Sequence, residues 1–577
     1  MTACHTLTKA AILLLLGGSG SATAETASLS LPDEQVEEYQ QLLGLLEEQT
    51  TIATKTRLNA DYVPGMVSVL HGDELEAGGS RTVWEALAMV PGVEIAIEEN
   101  GRKQVVVRGL GRTYASGTVK VLLNGVAMNS AQTAHASPVL NIPIEQVERI
   151  EVIRGPGSAV YGEFAFTGVI NVITRSDERK LFLRGAEGDH RGGGAIYSYR
   201  APDSDLSIDL NVGHWREDGG GVYVEEDLLY ASGDEAFSNA PGRTNEAQRD
   251  TTALLSVQRN GYRFKLQWLE DGFGDHFGIN EELPPDEQRI VTRNRYLGLE
   301  LGKLYAISER LSTDIHASLL RTEEEKERQF LTDTPYFTDY DCPPPCVMNR
   351  DYAEHRNSAG IDINWEPEEQ HRLLFALSYS HIRVKQSNDE WGLDGGTMTA
   401  FDPVITTGTE RHIHSMLLQD EYRPSERLTL TAGLRHDDYS DVGTSTTPRL
   451  AAVYRLDHRH IFKAQYARAF RPPTFYELGG AIDDIAPSTI ATYEAGYIYK
   501  GDDNELGLTL FHSGIKDPIT FSTEGAIGYD NGGDVSLHGA ELEWMHRFNR
   551  RARLNGNLSW LQSEDRDAAD QPLGGSS

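Results

Sequence analysis

The chain has 577 residues, too many for one ordinary globular core, so more than one structural unit is expected. Mean hydropathy is −0.43 and no run of about 18 apolar residues occurs, which excludes membrane-spanning helices but not membrane strands, whose alternating faces average to a soluble value. The net charge of −34, with no basic patch to offset it, excludes nucleic acid as a partner and leaves two readings: acidic loops that solvate a large surface, or attraction of a cationic ligand or divalent metal.

Residues 1–24 read as a secretory signal. Lys9 precedes the apolar run Ala10 to Leu16, and Ala22-Thr23-Ala24 offers a small-residue cleavage point before Glu25. The next segment, 25–59, is acidic and carries Val36, Tyr39, Leu43 and Leu46 at helical spacing behind Pro32, one face of a short amphipathic helix.

From 60 to 176 the pattern is mixed α+β, with the content of a compact domain. Val83, Leu87 and Val90 predict a helix over 82–90 that stops at Pro91-Gly92. Short β-branched runs follow at 104–108, 119–123 (before the turn pair Asn124-Gly125), 147–153 and 168–173.

From 177 to 577 the texture is different: long segments alternate in polarity, separated by short turns and long polar loops in turn. Leu428, Leu430, Ala432 and Leu434 share one face, and the same two-residue beat places Leu506, Leu508 and Leu510 together, then Leu554, Leu558 and Trp560. The opposite face is polar (Thr429, Thr431, Asn555, Asn557), as in strands of a large antiparallel transmembrane β-barrel with its apolar face outwards. About seventeen strands are expected between Leu181 and Leu561, an odd number where single-chain bacterial barrels close on an even one. The tail Gln571 to Ser577 is polar, so the barrel is expected to be incomplete, with its last strands missing. The stretches 217–249 and 326–350 are predicted outward loops; Arg423 to Glu426 and Asp457 to Arg459 are predicted periplasmic turns.

Of three cysteines, Cys4 belongs to the signal. Cys342 and Cys346 flank three prolines, and in an oxidising compartment a short loop disulfide is expected; with no nearby His or Cys partner the pair makes a poor zinc site. No metal site and no cofactor is expected. The sequence holds no P-loop, no Gly-x-Ser-x-Gly and no His-Glu-x-x-His, so an enzyme is not expected.

Residues 82–174 resemble the plug of TonB-dependent outer-membrane receptors. The resemblance rests on Thr82 to Val93 with its Pro-Gly stop, Val107-Arg108-Gly109, Leu123-Asn124-Gly125-Val126, the long run Ile144 to Gly162 containing Arg154-Gly155-Pro156-Gly157, and Gly168 to Thr174, all in family order. In the barrel, Phe470-Arg471-Pro472-Pro473-Thr474-Phe475-Tyr476-Glu477-Leu478 is similar to the family's Phe-Arg-Ala-Pro box, with Pro472 in place of Ala. Tyr493 to Tyr497, Ile515 to Ile519 and Gly539 to Glu543 follow in order. The family's barrel has about twenty-two strands, roughly five more than are counted here.

The resemblance implies a monomeric importer in the outer membrane of a Gram-negative cell, its barrel set in lipid. It would take up a scarce solute when TonB, driven by inner-membrane motor proteins, pulls on an N-terminal segment. Such a segment must offer an edge strand for pairing. Thr50, Thr51, Ile52, Ala53 and Thr54 are the candidate TonB box; the alternative is that they form the plug's own first strand. The resemblance also points to plug arginines pairing with barrel glutamates. Glu541 and Glu543 alternate with Leu542 and Trp544, so both carboxylates face the lumen if the apolar pair faces lipid, and Arg108 and Arg154 stand beside glycines that permit close approach. Solvated charges in a wet lumen are the alternative.

For cargo, the family's commonest ligand makes a ferric siderophore the expectation, with cobalamin or another metal chelate, or a non-transporting surface receptor or adhesin, as alternatives. The resemblance also disfavours haem, since the family's haem receptors carry a His in the loop after the Phe-Arg-Ala-Pro box and none lies between Leu478 and Tyr493. His135 is a candidate ligand contact on the plug apex, and Tyr336, Phe337, Tyr340 and Trp391 are candidates in outer loops; packing within the loops and aromatic girdles compete with that reading. Glu225-Glu226-Asp227 lacks the spaced oxygens and glycine turn of an EF-hand loop.

Overall fold

A computed structural model describes residues 49–50, 58–59, 65–98, 100–111, 117–186, 190–233, 238–278, 281–331, 346–522, 526–549 and 552–565. The signal segment, the amphipathic face at 36–46, Thr51 to Thr54, Tyr336, Phe337, Tyr340 and Cys342 lie outside the described residues. Thr50 pairs with Leu58 in a two-residue antiparallel bridge.

The first unit is built on seven strands: β1 (Met66–His71), β2 (Val93–Ile97), β3 (Lys103–Val107), β4 (Val119–Leu123), β5 (Val126–Ala127), β6 (Val147–Arg154) and β7 (Gly168–Thr174). Strands β2 and β3 form a hairpin, and the others form one mixed sheet in the order β1-β6-β7-β4-β5, with β7 and β4 parallel. The predicted helix is Val83–Leu87; the Thr82 hydroxyl accepts from the Glu85 amide and caps its first turn. Val83, Leu87, Val121, Leu123, Ile150, Val152, Ile170 and Val172 make the core, which is completed by Leu254, Leu269, Tyr296 and Leu320 from the second unit.

That second unit is one antiparallel sheet of eighteen strands, from Arg179–Ala186 to Ala552–Asp565. Seventeen are long; the short one, Met398–Phe401, folds back on the end of His371–Leu393. Among the described residues the first and last strands each pair on one side only. The two-residue beat resolves as expected: Leu430, Leu434, Leu450, Leu510, Leu558 and Trp560 are exposed on the outside, whereas Thr431, Gln465, Thr492 and Thr509 are buried inside. Exposed aromatics gather beside the short turns (Tyr262, Tyr305, Trp365, Tyr454, Phe462 and Phe548), the pattern of an interfacial girdle. No described helix is long and apolar enough to cross a membrane.

The sheet surrounds the first unit, the plug. Arg184 in the first strand donates to the Arg81 carbonyl at 2.9 Å, and the Ser559 hydroxyl in the last strand accepts from the Gly92 amide at 2.7 Å. Strands between them reach the plug through Thr252, Glu354, Lys463 and Glu494 among others.

Three loop and turn expectations are corrected. Leu311–Leu331 and Cys346–Glu368 run as strands well into the stretch read as a loop over 326–350. Such strands outrun the membrane, so their outer ends lose the apolar beat and carry charge. Trp391 is likewise in a strand, opposite Met348, and packs with Cys346, Met348 and Phe401 rather than standing in a loop. At the other end, Glu410–Ser425 runs through Arg423 to Ser425, and the turn is the following pair, 426–427.

Candidate functional site

The plug's charged residues meet the barrel wall in a buried cluster. Arg108 directly follows β3 at a φ of 52°, and its guanidinium reaches Glu541 Oε1 at 2.8 Å and Glu494 Oε1 at 2.6 Å while lying 3.9 Å over the Phe511 ring. Arg154, at the end of β6, donates to Glu541 Oε2 at 2.8 Å and Glu543 Oε2 at 3.1 Å. One carboxylate, that of Glu541, therefore bridges two guanidinium groups from different plug strands. Burial opposes the charge on Arg108, yet the adjoining Glu494 and Glu541 carboxylates outweigh it and raise its pKa.

Two glycines make this approach possible. A Cβ on Gly92, at a φ of 68°, would stand 2.5 Å from Glu541 Oε1, and one on Gly155, at a φ of 96°, would stand 2.7 Å from Glu494 Oε1. Pro91-Gly92 and Arg154-Gly155 are thus the clearances through which barrel carboxylates enter. Removing one partner of such a pair strands a buried charge, at a cost of about 3–5 kcal/mol.

The structure thus brings Arg108, Arg154, Glu541 and Glu543 together and adds Glu494, which the sequence reading passed over. A signal for it was present: Glu494 alternates with Tyr493, which is exposed on the outer face, so the carboxylate points inward. Two further ion pairs were also missed, Arg102 with Glu324 at 2.9 Å and Arg356 with Glu163. Glu324 and Arg356 lie on the two strands whose outer ends were read as loop.

At the end of the barrel that carries the longer loops, the plug segment Asn129–Ala134 is gripped from both sides. The Glu354 carboxylate accepts from the amides of Ala131 and Gln132, each at 2.9 Å, and from the Ser130 hydroxyl at 3.2 Å. The barrel helix Phe475–Gly479 closes from above, its Phe475 and Tyr476 amides donating to the Ala131 and Gln132 carbonyls at 3.0 Å. That helix begins with a capping box: the Thr474 hydroxyl accepts from the Glu477 amide, Glu477 accepts from the Thr474 amide at 2.8 Å, and Glu477 also pairs with Arg471. The Phe-Arg-Pro-Pro segment is therefore a strand-to-helix corner that rests on the plug. Around it, Arg350 is held by Asp389 at 3.0 Å and lies 5.8 Å from the Tyr476 ring; Arg411 is held by Asp441 at 2.7 Å and lies 4.9 Å from the Phe475 ring.

His135 is not an exposed apical side chain. It is half-buried at the base of this segment, its carbonyl accepting from the Tyr296 hydroxyl at 2.9 Å, and burial holds its imidazole well below the usual range and neutral. Trp391 sits in the strand-end cluster already described. Cys346 is disulfide-bonded. Asp227 caps the helix Leu228–Ser232 by accepting from the Tyr230 amide at 2.9 Å, while Glu225 and Glu226 before it are exposed.

Comparison with known proteins accords with this architecture. The TonB-dependent receptor plug domain matches residues 59–169, and the TonB-dependent receptor-like β-barrel matches residues 181–577. The iron-regulated outer membrane virulence protein of Vibrio cholerae serotype O1 is 25% identical over 502 residues, spanning 79% of this chain and 67% of that protein. A vitamin B12 transporter of Vibrio vulnificus is 23% identical over 515 residues, covering 85% of this chain and 74% of the transporter. The crystal structure of the siderophore receptor PirA from Acinetobacter baumannii superposes with a TM-score of 0.67 at 18% identity, over 87% of this chain and 81% of that one. The chain belongs to the TonB-dependent receptors, β-barrel proteins of the outer membrane closed by a plug.

Proposed function

We propose that this receptor imports a ferric siderophore, bound at the loop end of the barrel and released inward when TonB displaces the plug. The observation that carries the reading is the corner where the half-buried Tyr476, 5.8 Å from the Arg350 guanidinium and underlain by the buried Phe475, rests on the plug's apical segment at the loop end. A tyrosine face beside arginine suits a flat, anionic metal chelate. A relative named for iron regulation and a structural neighbour named as a siderophore receptor support the same cargo class. The segment Thr50 to Thr54 is the proposed TonB contact, and Cys342 the proposed disulfide partner of Cys346. Arg108, Arg154, Glu494, Glu541 and Glu543 are proposed to seat the plug.

The B12-transporting relative favours cobalamin as the second reading. Uptake of radiolabelled iron from a panel of ferric siderophores, and of labelled cobalamin, by a receptor-deficient strain carrying this gene separates the two. Tyr476→Ala is expected to weaken ligand binding. Ile52→Pro is expected to leave binding intact and abolish uptake, because proline removes the backbone donor that strand pairing needs. Uptake of cobalamin alone would replace the siderophore reading.

A further inference from the structure

A group of metal-binding side chains stands on the outer face of the barrel wall, away from the plug. His381 in the strand His371–Leu393 and His412 in Glu410–Ser425 are direct cross-strand partners. Both fall on the outward beat, in step with exposed Leu377 and Tyr379 on one strand and exposed Met416 and Leu418 on the other. They lie beyond the apolar residues, towards the loop end. Their rings stack with centroids 4.5 Å apart and planes 5° from parallel. The Glu410 carboxylate lies 3.4 Å from His381 Nε2 and 3.8 Å from His412 Nε2.

Two features separate this group from scattered surface charge. One ligand atom from each of the three residues lies within 4.8 Å of the others. Donor atoms around a tetrahedral zinc ion stand roughly 3.3 Å apart and the ion lies in the plane of each ligating ring, so binding requires the His381 ring to turn about χ2 out of its stack on His412. The second feature is orientation: His412 Nδ1 lies 2.8 Å from the Tyr379 hydroxyl, which leaves Nε2 turned to Glu410. Ligating imidazoles are held in this way by a partner on the distal nitrogen.

We propose that His381, Glu410 and His412 bind a divalent transition-metal ion of the zinc class through two imidazole nitrogens and one carboxylate oxygen, with a further position open to water. The two strands are the stems of the 394–409 connection, whose Met398–Phe401 portion pairs back on the first of them. An ion at this place ties the stems together and stiffens the base of that loop.

The test titrates zinc chloride, against a chromophoric chelator, into purified detergent-solubilised receptor lacking a polyhistidine tag. One equivalent is expected to bind with a dissociation constant of about 10 µM or tighter. His381→Ala, Glu410→Gln and His412→Ala should each weaken binding at least about tenfold, and Tyr379→Phe by roughly tenfold through loss of orientation. His414→Ala, whose ring lies 4.9 Å from that of Tyr379 but supplies no ligand, should retain the parental affinity. Zinc should raise the melting temperature of the parent protein and not that of His412→Ala; metal-free melting serves as the folding control. Absence of uptake at about 100 µM zinc, or uptake unchanged in both histidine variants, would overturn the proposal.

Discussion

The two flanks of the plug are held to the barrel by different chemistry. On the flank facing Ser488–Lys500 and Val535–Asn549, two arginines and three glutamates form a buried, charge-assisted cluster. On the flank facing Ser207–Glu217 through Thr292–Ser308, amides and hydroxyls (Asn211 donating to the Arg175 carbonyl at 3.1 Å, Thr252 to Gln146 at 2.7 Å, Gln267 to the Leu123 carbonyl at 3.2 Å) are joined by single charges on neutral partners, as where Asn141 donates to Asp271 at 3.0 Å, and by the looser Arg81–Glu217 pair at 3.8 Å. A polar cavity of about 340 Å³, lined by Asn124, Asn171, Lys265 and Gln267 among others, opens on this second flank. Water can replace the bonds of the second flank at little cost, whereas a stranded ion on the first is expensive. The first flank is therefore expected to resist separation from the barrel more than the second.

The largest effect is expected from Glu541→Leu, which removes the carboxylate shared by Arg108 and Arg154. Loss of about 3–5 kcal/mol in plug retention should appear as trypsin cleavage inside the plug at much lower urea than in the parent. Gln146→Ala, on the wettable flank, should cost only about 1 kcal/mol in the same assay. An equal loss in both variants would abolish the distinction between the flanks.

The smallest effect concerns pH and sharpens the comparison at the barrel's outer half. Burial pushes the Glu163 carboxyl up, but Arg356, Lys120 and Arg411 outweigh it and hold it below the usual range. Its contribution is thus fully present above the unfolded-state value of about 4.3 and is lost as pH falls through the lower folded-state value. Protease protection of the plug should decline in acid below about pH 4, with a shallower decline in Glu163→Gln. An identical acid profile in the two proteins would remove Glu163 from the account.

Much of the architecture was legible because both units obey simple periods. The spacing of Val83 and Leu87 gave a helix, and the beat through Leu428 to Leu434 gave a membrane strand with the correct face outward. The same beat fails where strands leave the membrane, since neither face must then be apolar; hence Lys326, Arg350 and Trp391 were assigned to loops. Inward carboxylates were legible by parity alone, as Glu541 shows, but their partners were not. Arg108 and Glu541 are 433 positions apart, and which strand faces which side of the plug depends on the closure of the whole sheet. His135 was misjudged for a related reason: a polar segment reads as solvated unless its captor, here Glu354 together with the Phe475–Gly479 helix, is known.

The register of β1 against β6 has a mechanical consequence. β1 is the edge strand of the plug sheet, and its first residue, Met66, lies directly opposite Arg154. Just upstream, the Gly65 carbonyl accepts from Lys463 of the barrel at 3.2 Å, and Ser68 donates to Glu543 at 3.1 Å. Tension arriving from the N-terminal side therefore loads the rung that carries the guanidinium before any other. A load on that end meets this rung before those of the strand's interior. The ion pairs of Arg154 with Glu541 and Glu543 stand at that same end.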